Sequence, residues 1–517
     1  MVADVFAPPA VIAEREAEIV TLSLALEFER QRNERLEAER SAWQAERAGL
    51  LDQLERAIGE REQLRRQVEE LGRRKKLSST NSSKPPSSDG LRRKPKPSSP
   101  ERRRRKEQGR RPGKQKGSAG VHRALVSDPD KVVDLLPSHC GRCQANLCGA
   151  ALGDGKPDRR QVWDVPPPPG LVRIEYRSLA LVCPDCGETT KATFPEWAKA
   201  PVSYGPGLHA AAVYFHVLHY LPFERTSQVL HDLFGADVST GTLAAMVARG
   251  SERVGPAVAE ILCQLRTAPV VHLDETGCHV NGKLWWAHGA STERLTLLGI
   301  ARRRGGEGIA ALGVAEELAG IAIHDHWSAY WGETLPKASG HALCNAHHLR
   351  ELTEVFEVYG QRWAGRMMRL LLEMLAMRNQ AMDQHQAALG PELLAELERR
   401  YDNIVKEGWK ANPRREGRAQ KSRPGNLVRR LDECRSEVLR FLRDFRVPFT
   451  NNEIERDLRM VKLHEKISGG WRSEAGARAF LRVRSYLATA RKQGQGMQEA
   501  LTAAFEDRPW LPASTGP

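Results

Sequence analysis

The stretch "APVVHLDETG", residues 268–277, is an apolar run of strand length that closes on Asp274 just before a turn-forming glycine. Read outward from it, "KLWWAHGAST" (283–292) and "RLTLLGIARR" (294–303) are two more strand-like runs. A helical segment, "GEGIAALGVAEELAG" (306–320), follows, and "GIAIHDHWSAY" (320–330) is again a strand, ending at Asp325. "SGHALCNAHHLREL" (339–352) adds a further strand or helix. The order is therefore β-β-β-α-β. A meander of three strands, a crossover helix and a parallel strand place the first and fourth strands side by side. Asp274 and Asp325 then end neighbouring strands.

That order is the order of an RNase H-like mixed sheet. One aspartate at the end of an apolar strand can simply open a turn. Two on adjacent strands form a pair of hard oxygen ligands suited to Mg²⁺ or Mn²⁺, ions that also bind substrate phosphates. Two such ions can activate a nucleophile and stabilise the leaving oxygen at a phosphodiester. A third carboxylate is needed, and "TNNEIERDLRMVKLHEK" (450–466) supplies three: Glu453, Glu455 and Asp457. Read as a helix capped at Thr450 or Asn451, it buries Ile454, Leu458 and Val461 at i, i+4, i+7. Glu455 shares its face with Arg459, Lys462 and Lys466, which puts phosphate-binding cations behind a metal-binding carboxylate. Glu453 lines up with Asp457, a like-charge pair one turn apart. Glu455 is the expected third ligand and Glu453 its alternative.

The remaining chain divides around this core. Residues 263–354 form its first part and 446–500 the helix that returns the glutamate, with a short tail at 501–517. Between them, 355–445 reads as an all-α insertion, its helices joined by the basic loop "KANPRREGRAQKSRPG" (410–425). Residues 201–262 are helical, and 221–250 suit a helix-turn-helix: Val229, Leu230 and Leu233 as first stripe, Gly235 at the turn, Ser239 or Thr240 as N-cap. Residues 121–200 alternate in short strand-like runs, with Cys140-Gly-Arg-Cys143 and Cys183-Pro-Asp-Cys186 at the two ends. Two C-x-x-C knuckles can offer four thiolates to one tetrahedral Zn²⁺, a structural rather than catalytic ion.

Residues 77–120 hold Ser, Pro, Lys and Arg with little to bury, and read as a flexible basic linker. Within it, 91–116 carries thirteen Lys/Arg against Glu101 and Glu107, so eleven of the net +14 charges sit in one segment. Such a cluster seeks a polyanion, and nucleic acid is the natural one. Residues 1–76 read as a coiled-coil helix: Leu22, Leu36, Trp43, Leu50, Ala57, Leu64 and Leu71 keep a seven-residue spacing, best developed from Leu50 to Leu71. A homo-oligomer through that helix follows. No stretch reaches the roughly 18–20 apolar residues of a membrane span, the first residues carry no signal-like core, and nine cysteines argue for a reducing, cytoplasmic setting.

In "SSTNSSKPPSSDG" (78–90), the paired C-x-x-C module, "LDETG", "HDHWSAY", "CNAHHLREL" and "TNNEIERDLRMVKLHEKISGGWRS…YLATARKQG", the sequence resembles transposases of the IS66 family, the large DDE-type subunit of those bacterial insertion sequences. The resemblance runs from about residue 77 to 495. It implies that Asp274, Asp325 and Glu455 are the catalytic D, D and E, and that Cys344 and His347 are the C-x-x-H that follows the second aspartate. It also implies action on element ends and target DNA in the bacterial nucleoid, with accessory proteins of the same element as possible partners. The expected activity is metal-dependent cleavage followed by strand transfer. An RNase H-like structure-specific nuclease needs the same three acids without strand transfer. A non-enzymatic DNA-binding regulator leaves them unexplained.

Overall fold

The computed structural model describes residues 124–153, 157–165, 170–413 and 422–514. The expected coiled coil and basic linker lie outside these. The described residues fall into two compact units, one within Lys94–Gly170 and the other from Leu171 onward.

The first unit is sparse in regular structure. The runs expected as strands at 131–136 and 160–165 form none, and Val133, Leu135 and Val162 are exposed. An antiparallel bridge, His139 to Asn146, frames Cys140 and Cys143. In the second unit a small hairpin, β1 (Ala180–Val182) and β2 (Thr189–Lys191), carries Cys183 and Cys186 at its tip.

The second unit is a mixed α/β structure built on five strands: β3 (Val270–Val280), β4 (Lys283–Ser291), β5 (Thr296–Ala301), β6 (Ile321–His324) and β7 (Gly340–Leu343), in the order β5-β4-β3-β6-β7. The first three form an antiparallel meander, and β6 and β7 run parallel to β3. Asn281 and Gly282, both at positive φ, make the two-residue turn that the right-handed strand twist favours. The crossover is shorter than the sequence suggests. It holds α5 (Gly306–Ala310) and one 3₁₀ turn, because Gly313 at φ +80° ends the helix.

Helices cover both faces. On one, α12 (Asn452–Ser468) and α13 (Glu474–Lys492) bury Ile454, Leu458, Val461, Phe480 and Leu487 against β3, β4 and β5. Ile454, Leu458 and Val461 are the stripe expected from the spacing, each fully buried aliphatic contributing about 1.5–3 kcal/mol. Gly289 on β4 lets α12 sit this close, since a methyl there would collide with Ile454. The outer strand β5 is not left open: Thr489 accepts from the Thr296 N–H at 3.0 Å and Ser485 from the Leu298 N–H at 2.8 Å. Hydroxyls on α13 thus take the place of a missing strand partner. On the other face, Ile261 and Leu265 of α4 (Gly255–Thr267) pack with Val271, Leu273 and Ile309.

Upstream lie α1 (Pro206–Val213), α2 (Phe223–Phe234) and α3 (Thr240–Arg253). Gly235 adopts φ +65° at the end of α2, and Ser239 caps α3 by accepting from the Thr242 N–H at 3.2 Å. The apolar stripe of α2 differs from expectation: Leu230 and Thr226 are buried, whereas Leu233 is exposed. Beyond β7 come α6 (Asn345–Tyr359), α7 (Arg362–Asp383), α8 (Pro391–Ala411), α9 (Arg423–Glu433), α10 (Arg435–Val438) and α11 (Arg440–Arg443). Their core, including Trp363, Met367, Leu397, Tyr401 and Leu427, is continuous with Val270, Ile323 and Leu343 of the sheet. α14 (Met497–Phe505) closes the chain. No described helix is long and apolar enough to cross a membrane.

Candidate active site

Register brings the aspartates together. His272 on β3 pairs with Ile323 on β6, so two residues further along the chain from each, Asp274, still on β3, comes beside Asp325, just past the end of β6. Asp274 accepts from the Glu275 N–H at 2.9 Å, and Asp325 from the Trp327 N–H at 2.8 Å. Among the described residues neither forms an ion pair. Burial, then the charges of Glu275, Asp325 and Glu455, push the Asp274 carboxyl well above the ordinary range. Burial also raises Asp325. Half-buried carboxylates that disfavour one another's charge suit a hard divalent cation, which would relieve both the desolvation and the repulsion.

Glu455 comes from the first turn of α12, its side chain 12% exposed. Its surroundings are mixed. Cys344 Sγ lies 4.0 Å away, His347 Nδ1 3.8 Å, Arg350 Nη2 3.8 Å and Arg459 Nη2 3.5 Å. Ligating atoms of Cys344, His347 and Glu455 all fall within 4.8 Å of one another, a second arrangement able to hold a metal. The C-x-x-H thus meets the glutamate itself, at the N-terminus of α6. Burial pushes the Cys344 thiol up to about 11 and the His347 imidazole down to about 3, so both are neutral at pH 7. Among the described residues, His347 Nδ1 has no hydrogen-bond partner.

The other two acids of the stretch are occupied elsewhere. Asp457 is 3% exposed, accepts from the Thr296 hydroxyl at 2.7 Å and faces the Lys492 ammonium at 3.3 Å. Glu453 lies 3.9 Å from the same ammonium and 3.7 Å from Arg456. The pair one turn apart is therefore held by a shared lysine on α13. Of the cations expected behind Glu455, Arg459 reaches Glu455, Lys462 is 2.9 Å from Glu465, and Lys466 is exposed in the last turn.

Asn451 was legible only as a helix cap, yet its side chain does not cap α12. It is 1% exposed; its amide donates to the Leu273 carbonyl at 2.8 Å, and its oxygen accepts from His272 Nδ1 at 2.8 Å. Its backbone N–H points at Cys344 Sγ, 3.1 Å away. One residue ties the start of α12 to β3 and to the C-x-x-H. On the opposite face of β3, Glu275 accepts from Arg304 Nε at 2.8 Å and Nη2 at 2.6 Å and from the Tyr330 hydroxyl. Arg304 in turn lies over Trp327 at 4.1 Å and Trp286 at 4.9 Å. This assembly, buried at Glu275 and Tyr330, braces the segment after Asp325; "LDETG" alone gives no sign of which acid faces which side beyond strand alternation.

The two C-x-x-C pairs belong to different units but share one local form. The Gln144 N–H returns to the Cys140 carbonyl at 3.0 Å, and the Gly187 N–H to the Cys183 carbonyl at 2.9 Å. N–H groups of Cys143 and Arg142 lower the Cys140 thiol, and those of Cys186 and Asp185 lower the Cys183 thiol. Amides turned toward the first sulfur of each pair favour thiolate, the form that binds metal.

Residues 201–479 match the model of the transposase IS66 family, more than half of the chain. Residues 13–124 match that of a family of unknown function (DUF6444). No curated protein matches the chain.

Proposed function

Since the chain belongs to the IS66 family of transposases, we propose that it cuts DNA at the ends of an insertion sequence and joins the freed 3′-hydroxyls to target DNA, with Asp274, Asp325 and Glu455 as its catalytic acids. Family membership brings a transposase role, DNA as partner and a divalent metal as cofactor. The β5-β4-β3-β6-β7 order, antiparallel then parallel, supports reading the sheet as an RNase H-like core with residues 355–445, which hold α7–α11, as its insertion. The observation that carries the reading is the juxtaposition of Asp274 and Asp325 at equal register with Glu455 close enough to raise Asp274 further.

Asp274, Asp325 and Glu455 would hold the metal. A bound divalent ion supplies polarisation of the attacking oxygen and charge for the phosphoryl oxygens. In the first step a water oxygen bonds to phosphorus and the P–O3′ bond breaks, leaving a 3′-hydroxyl and a 5′-phosphate. In the second, that 3′-oxygen bonds to a target phosphorus, the target P–O3′ bond breaks, and the proton passes to the departing oxygen. Arg459, Lys462 and Lys466, on the side of α12 that bears Glu455, would steady DNA phosphates. Neutral His347 and Cys344 give Glu455 its seat and add softer donors beside it. We also infer a structural Zn²⁺ on Cys140, Cys143, Cys183 and Cys186, supported by the matching turns of the two pairs. The α2–α3 pair would serve as a helix-turn-helix, and residues 1–76 as the oligomerising helix.

The test is Asp274→Asn, Asp325→Asn and Glu455→Gln in a strand-transfer assay with matched element ends. Each should abolish cleavage and leave DNA affinity near normal, because phosphate contacts elsewhere supply most of it. Cleavage by Glu455→Gln together with its loss in Glu453→Gln would move the role to Glu453. Cleavage without joined products from the unmodified protein would point to a nuclease.

A further inference from the structure

A cleft of about 360 Å³ opens between the first turn of α1, the last turns of α3, the end of α14 and the segment at 196–204. Asp274, Asp325 and Glu455 are not among its lining residues, and its size is that of a small-ligand site. Two kinds of wall meet in it. One is aromatic: Trp197, Tyr204 and Phe505, with the His209 ring 5.0 Å from that of Phe505. Two of these rings, Tyr204 and His209, are anchored by hydrogen bonds. The Tyr204 hydroxyl donates to the Asp237 carbonyl at 2.7 Å, and His209, kept neutral by burial, is 3.0 Å from the Gly205 carbonyl through Nδ1.

The other wall is cationic. Lys199 pairs with Glu196 and Arg253 with Asp507, but Arg249 has no carboxylate partner among the described residues. Pro206, at the start of α1, also borders the cleft, so the positive end of that helix lies beside it. An uncompensated arginine beside stacking surfaces suits a ligand that is anionic at one end and flat and apolar at the other. The segment 91–116 cannot fill it, since that segment carries eleven excess positive charges of its own.

We propose that this cleft binds one unpaired nucleotide, its base against the aromatic wall and its phosphate on Arg249. The same chemistry is offered by a free nucleoside monophosphate and by an unpaired nucleotide of a DNA strand. The site does not depend on the roles of Asp274, Asp325 and Glu455, so it stands or falls separately from them.

The full chain is titrated calorimetrically with 5′-dAMP and with deoxyadenosine. In parallel, a single-stranded oligonucleotide of about 12 nucleotides carrying one 2-aminopurine is followed by fluorescence and by anisotropy. Variants are Trp197→Leu and the exposed Arg249→Ala, with Arg249→Lys to retain charge. The expected result is dAMP binding at least about tenfold tighter than deoxyadenosine, weakened about tenfold by Arg249→Ala and partly rescued by Arg249→Lys. Alternatively, or in addition, 2-aminopurine is quenched on binding and Trp197→Leu abolishes the quench while anisotropy still reports binding. Binding of dAMP with silent 2-aminopurine assigns the site to free nucleotide; quenching without dAMP binding assigns it to DNA. No dAMP binding together with a 2-aminopurine signal unaffected by either substitution overturns the proposal.

Discussion

Replacing Asn451 by alanine should both weaken the protein and disable its chemistry. The side chain is 1% exposed and makes two hydrogen bonds of 2.8 Å, one to His272 and one to the Leu273 carbonyl. The substitution strips the buried imidazole N–H of its acceptor and the carbonyl of a donor. At about 1–3 kcal/mol for each buried group left unpaired, the two together should cost about 2–6 kcal/mol. Asn451→Asp should do no better, because it keeps the acceptor for His272 but presents a carboxylate to a carbonyl. Asn451 also sets where α12 begins, one turn before Glu455, and a displacement of about 1 Å at a reacting group can cost about a hundredfold in rate. Single-turnover cleavage should therefore fall about a hundredfold while the DNA dissociation constant moves by less than about threefold, and half-maximal rate should need more metal. Thermal denaturation and hydrogen exchange in the first turn of α12 report the stability arm. An Asn451→Ala protein that cleaves normally and loses less than about 0.5 kcal/mol would refute the idea that this residue docks the helix.

Two buried imidazoles predict acid lability: burial pushes His288 and His464 each down to about 4. The unfolded chain takes up their protons near pH 6.5 while the folded chain does not, so stability is full above that pH and falls as pH drops toward 4, by about 1.4 kcal/mol per unit per histidine. His464→Phe, which keeps the stack on Trp471 at 4.7 Å, should reduce the slope of unfolding free energy against pH by about one proton; an unchanged slope counts against it. For the cysteines, metal analysis of the purified full chain should find about one zinc per chain, and Cys183→Ser should remove it; full zinc occupancy in Cys183→Ser would place the ion elsewhere. For the basic segment, deleting residues 91–116 should flatten the dependence of DNA affinity on salt without erasing preference for element ends. Lost preference with an unchanged slope would assign sequence reading to that segment.

How far the sequence reached depended on the range of the interaction concerned. The strand runs of the five-stranded sheet, the Gly235 and Ser239 helix signals and the buried stripe Ile454, Leu458 and Val461 are local patterns, set by backbone propensity and by side-chain period, and they were readable without coordinates. So was the pairing of Asp274 with Asp325, because a crossover between parallel strands leaves little choice of neighbour. What each polar side chain faces is not local. "TNNEIERD" offers three acids within five residues, and helical geometry alone separates them only by angle. The fold gives them different surroundings: Lys492, brought by α13, lies beside Glu453 and Asp457, while Cys344 and His347, brought by α6, stand beside Glu455. Likewise Asn451 reads as a cap until β3 supplies better partners, and Arg249 becomes part of a cleft only where α1, α3 and α14 meet. Local order is written in neighbouring residues; the partner of a buried charge is chosen by whatever the tertiary packing carries within about 4 Å of it, where desolvation makes that choice costly to change.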